Sequence, residues 1–182
     1  MKLGALAKTI LFKQKREPAW RDALLFLALF ALFASAFYAV LSAWGGLPGI
    51  AASAALPLTR SLGLQASLEW KEFPHITGWH EGAWFDAEIN GLCGGAIELS
   101  VLLGLVAASR DRSLERRLAG MVAGAAALLV FNPVRIALTL SLYGSPSFVL
   151  AHDVLFRVSI VAIVLGVYAA WYLGSARGKR KG

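Results

Sequence analysis

Three side chains in this 182-residue chain are of types that can do chemistry together. Cys93 stands in "NGLCGG", Arg135 in "FNPVRIAL" and His152 in "LAHDVLF". A cysteine where a chain enters a helix meets free N–H groups and the positive end of the helix dipole, which favour the reactive thiolate. Histidine titrates near neutrality and carries protons. A fixed guanidinium stabilises a thiolate or a developing oxyanion. Nucleophile, proton carrier and cation together suit acyl transfer by attack on a carbonyl. Each residue also has a plainer role open to it. Cys93 would serve as a small apolar residue, Arg135 as a structural charge paired with Glu98 or Asp153, and His152 as an interfacial histidine. His75 and His80 fall in what reads as a solvent-exposed turn and rank below His152. The cysteine and histidines lack the ligand spacing of a zinc site, and no phosphate-cradling glycine loop or serine elbow is present, so no metal or cofactor is expected.

Arg135 is the most informative of the three because of where it falls. Its surroundings are an apolar run, and a charge at membrane depth costs about 3 kcal/mol on insertion scales. Such residues face a bundle interior or a functional site. Pro133 removes a helical hydrogen bond to the carbonyl of Leu129 and kinks the chain nearby, while Asn132 is free to bond a backbone group or a neighbouring helix.

The elements that must position these residues follow from hydropathy and charge. The chain is 58% hydrophobic with mean hydropathy +0.63. Four apolar runs, at about residues 22–44, 92–108, 118–144 and 154–174, are each long enough to cross a ~30 Å hydrocarbon core. The expected fold is a single all-α membrane domain of four transmembrane helices, with a small extracytoplasmic region at 45–91 made of a surface helix and short strands. In that region "SLEWKEF" and "AWFDAEI" alternate weakly and predict two strands joined by a turn around Pro74 and Gly78. A cleavable signal peptide is not expected; the basic N-terminal "MKLGALAKTILFKQKR" reads as a segment lying along the membrane surface.

The net charge is +7, and fourteen of the eighteen basic residues sit before residue 22, in the loop at 110–117 or in the tail from Arg177. Placing these three segments on the cytoplasmic side satisfies the positive-inside rule. The positive charge therefore orients the chain in lipid and does not imply a nucleic-acid partner. This topology puts Cys93, Arg135 and His152 at the outer leaflet on three successive helices. One cysteine excludes an internal disulfide.

At these residues the chain resembles the exosortase/archaeosortase family of membrane cysteine transpeptidases. The likeness rests on "LCGG" at Cys93, "NPVRI" at Asn132–Ile136 and "AHDVLF" at His152, and extends over roughly residues 50–171. Gly94 stands where many members have serine or threonine. The resemblance implies a plasma- or inner-membrane enzyme with cytoplasmic termini and an outward-facing site. Its catalytic set would be Cys93, Arg135 and His152. Its partners would be exported proteins ending in a short motif, a membrane helix and a basic cluster. Cleavage near the motif would leave a thioester at Cys93, to be passed to an acceptor or to water. Glu98 and Arg157 are candidates to support the site. The rival reading is a non-catalytic membrane scaffold or small transporter subunit.

Overall fold

The computed structural model describes residues 19–177. A long helix, α1 (Ala19–Trp44), is followed by a shorter one, α2 (Leu47–Ser61). Three strands come next: β1 (Gln65–Trp70), β2 (Pro74–His80) and β3 (Ala83–Glu88). The chain ends in helices α3 (Ala96–Ala108), α4 (Leu114–Leu140) and α5 (Phe148–Arg177). The strands form one antiparallel sheet in the order β1-β2-β3.

The fold is mixed α and β, with five helices among the described residues, and this corrects the expected all-α bundle of four crossing helices. Two helices are long and apolar enough to cross a membrane, over Trp20–Trp44 and Leu114–Leu140. Helix α3 has thirteen residues and so extends only ~20 Å, because the chain entering it turns through Gly94 and Gly95 before the helix begins. Among the described residues the apolar stretch of α5 is Val161–Gly174, shorter than a crossing. The basic segment before residue 18 and the basic residues after 177 lie outside the described residues.

The sheet also differs from expectation. Pro74 to His80, expected as a turn, is the central strand, so His75 and His80 stand on β2. The turn lies later, at Glu81 and Gly82, whose φ values of 49° and 82° match the two-residue turn that joins tightly twisted strands. Weak alternation in "PHITGWH" hid this strand: it is covered on one face by α2 and on the other by a polar ladder, so Pro74, Ile76, Thr77 and Gly78 are all buried.

Small residues set how closely the elements approach. Ala51, Ala52 and Ala55 of α2 pack with Ile76 and Phe85 of the sheet and with Ile136 and Leu140 of α4. Helix α3 runs antiparallel to both long helices, α1 and α4. On one side Gly104 meets Ala34 of α1, where an added Cβ would lie 2.9 Å from the alanine methyl. On the other, the Arg117 side chain near the start of α4 donates to the Ala107 carbonyl at 2.9 Å. Close backbone approach through small residues is the usual basis of helix association in lipid. Helix α5 returns along α4, with Trp171 donating to the Arg116 carbonyl and stacked over Gly120.

Candidate active site

The turn carrying Cys93 is held by its own backbone and by a neighbour. Asn90 Oδ1 accepts from the N–H groups of Leu92 at 3.1 Å and Cys93 at 3.3 Å. The Gly94 N–H bonds the Asn90 carbonyl at 2.8 Å. Both glycines are required here. An added Cβ at Gly94 would lie 2.9 Å from the nitrogen of Pro48, and Gly95 takes φ +85°, a conformation that favours glycine. The helix starts one residue later, so Cys93 precedes α3 instead of sitting in its first turn.

From α4, two side chains reach this turn. Asn132 Nδ2 donates to the Cys93 carbonyl at 2.8 Å, and Arg135 Nη2 donates to the same oxygen at 3.4 Å. Arg135 Nη1 also lies 3.7 Å from Glu98 Oε1, and both side chains are buried, 4% and 9% exposed. Arg135 thus has the structural partner proposed for it, Glu98, and at the same time borders Cys93. It stands five residues before the end of α4, about 8 Å from that terminus. This is shallower than the sequence implies, because the helix stops at Leu140 and does not run on to Gly144.

His152 lies in the second turn of α5 and belongs to an aromatic row. Phe85 meets Tyr143, Tyr143 meets Phe148, and Phe148 meets His152, with centroids 5.5, 5.3 and 5.8 Å apart. Cys93, Arg135 and His152 all line one cavity of about 310 Å³, walled by β3, the end of α4 and the start of α5. The side chains of Asp153 and Arg157 lie outside the described residues.

No family model matches this chain, and no curated protein or solved structure matches it.

Burial pushes the Cys93 thiol above its ordinary range, with the Asn90 contact and the Arg135 charge pulling the other way by less. This burial favours the thiol form, in contrast to the thiolate expected from a helix N-terminus. His152 lines the same cavity as this thiol. Among the described residues no cluster of histidine, cysteine or carboxylates suits a metal ion.

Two contributions were not legible in the chain. Asn90 orders the cysteine turn, a role signalled only by its place two and three residues before the N–H groups it bonds. Strand β3 forms a whole wall of the cavity, and its proximity depends on α2, which packs against both the sheet and α4.

Proposed function

We propose that this protein is a membrane-embedded cysteine transpeptidase or protease that removes C-terminal sorting tails from exported proteins. The observation carrying this reading is that Cys93, Arg135 and His152, from three separate parts of the chain, border one cavity. The enzyme class and its tailed partners follow the resemblance to exosortases and archaeosortases.

Crossing helices α1 and α4 both run antiparallel to α3, so their N-terminal ends share a side. Arg21 marks that end of α1, and Arg110, Arg112, Arg116 and Arg117 surround that end of α4. Basic residues favour the cytoplasmic side. The N-terminus and the return of α5 then face the cytoplasm of a plasma or inner membrane. The sheet and cavity open at the outer face. A substrate anchored by a helix with a basic inner end presents its motif at the same level.

In the reaction, Cys93 Sγ attacks the scissile carbonyl carbon as its proton passes to His152. The carbonyl oxygen becomes an oxyanion that the Arg135 guanidinium stabilises. The intermediate collapses, the C–N bond breaks, and the departing amine takes the proton from His152. The thioester left on Cys93 is attacked by an acceptor nucleophile or by water, and the thiol is regenerated. Asn132 and Arg135, by holding the Cys93 carbonyl, fix the sulfur's position for the attack.

Co-expression with a tailed substrate tests this. Cys93→Ala and Cys93→Ser are expected to leave the tail uncleaved while the protein still folds. Tail removal unchanged by Cys93→Ala would discard the enzyme reading and leave the non-catalytic scaffold or transporter subunit.

A further inference from the structure

We infer that the free edge of β3 is a docking site for an extended polypeptide, which pairs with it as a fourth strand and so delivers its scissile carbonyl to Cys93. This rests on the reading of the site as a peptide-processing centre and adds how the substrate is held.

The ladder shows which backbone groups are free. Ile89 N–H bonds the Pro74 carbonyl, so the pair Pro74–Ile89 is a hydrogen-bonded one. Hydrogen-bonded and non-bonded pairs alternate in an antiparallel ladder. Ala87 opposite Ile76, Phe85 opposite Gly78 and Ala83 opposite His80 therefore bond to β2. The turn agrees, since a two-residue hairpin closes on a bonded pair, here His80–Ala83. The N–H and C=O groups of Trp84, Asp86 and Glu88 then point away from β2. Among the described residues no strand pairs with that side.

The opposite edge of the sheet is treated differently. The same alternation turns Ala66 of β1 outward, and its carbonyl is taken by Arg60 Nε at 2.8 Å. One edge is thus blunted by a side chain from α2, and the other opens on the cavity. Exposed edges template pairing with another chain unless they are covered.

Cavity lining gives the orientation independently. Five consecutive residues, Phe85 to Ile89, border the same cavity as Cys93, Arg135 and His152. A sheet presented face-on contributes every second residue. A run of neighbours shows β3 presented by its edge. From Trp84 to Glu88 the edge spans ~13 Å, room for about five residues of an added strand, with the cysteine turn just beyond Ile89.

The occupant's chemistry follows from the two faces of β3. On the inner face an added strand meets Phe85, Ala87 and Tyr143, which select apolar or small side chains. On the outer face it lies beside Trp84, Asp86 and Glu88; Asp86 already holds Lys71 and His75 and Glu88 accepts from Asn90, so this face suits uncharged polar side chains. Main-chain bonds supply affinity and alternate side chains supply selectivity, as in other strand-addition complexes.

The test uses the full-length protein in lipid nanodiscs and a pentapeptide vinyl sulfone of alternating valine and threonine, with iodoacetamide as a small thiol probe. Cys93 alkylation by the peptide is expected to slow at least ~10-fold when alternate peptide amides are N-methylated, from the loss of two backbone hydrogen bonds. Asp86→Pro, which removes an outward N–H, is expected to slow the peptide probe similarly, and Asp86→Ala much less. Iodoacetamide should label all forms alike. Equal rates for the methylated and unmethylated peptides on the unaltered protein, with normal iodoacetamide labelling, would overturn the docking site and leave the thiol mechanism standing. Tail cleavage that persists in Cys93→Ala would remove the enzyme reading itself.

Discussion

Asn132 and Cys93 are joined across the helix interface by a 2.8 Å hydrogen bond from the Asn132 amide to the Cys93 carbonyl. The bond ties the reactive turn to the helix that carries Arg135, so the sulfur and the guanidinium are positioned as a unit. Asn132→Ala is expected to cost about 1–3 kcal/mol by leaving the carbonyl with only the longer Arg135 contact. Tail cleavage should fall by more than stability alone explains, read as cleavage rate against thermal unfolding in detergent. Asn132→Ala with unaltered cleavage would show that the bond is structural only.

Glu98 is the buried counter-charge of Arg135. Removing one partner of such a pair leaves an uncompensated charge and costs about 3–5 kcal/mol. Glu98→Ala should therefore destabilise strongly, while Glu98→Ala combined with Arg135→Met should recover most of the loss and still be inactive. A thermal-unfolding double-mutant cycle measures this; additive losses would refute the pairing.

Cys93 should be a slow thiol at neutral pH. Its half-buried sulfur is protonated below a raised pKa, and only the thiolate reacts. Iodoacetamide labelling is expected to keep climbing with pH through the ordinary cysteine range, without a plateau by pH 9. A plateau near neutrality would show a preformed thiolate and remove the need for His152 as the base.

Gly94 and Gly91 offer a contrast within one turn. Gly94→Ala places a methyl 2.9 Å from the Pro48 nitrogen, and overpacking of this kind costs about 1–3 kcal/mol. Gly91→Ala meets nothing within 4 Å. The first variant should lower both melting temperature and Cys93 labelling by the peptide probe, and the second neither. Equal behaviour would mean that the turn is not pressed against α2.

Much of the site was legible in the chain. A lone cysteine before an apolar segment, an arginine within another and a histidine at the start of a third are local signals, and each survives as a residue bordering the cavity. A helix and strands between residues 45 and 91 were also readable, the strands from the short alternating runs. Charge alone offers Arg135 two partners, Glu98 and Asp153, and the structure pairs it with Glu98.

What the chain determined by itself was composition: apolar length, basic flanks and the identity of the few polar groups within apolar runs. Tertiary structure decided which runs are helices of crossing length, since α3 begins only where Gly95 leaves its left-handed conformation and α4 ends at Leu140. It also decided that "PHITGWH" is a strand, because burial by α2 replaces the polar alternation a solvent-facing strand would show. The wall that β3 lends to the cavity arises because α2 packs against both the sheet and α4. No spacing within a linear sequence encodes that contact.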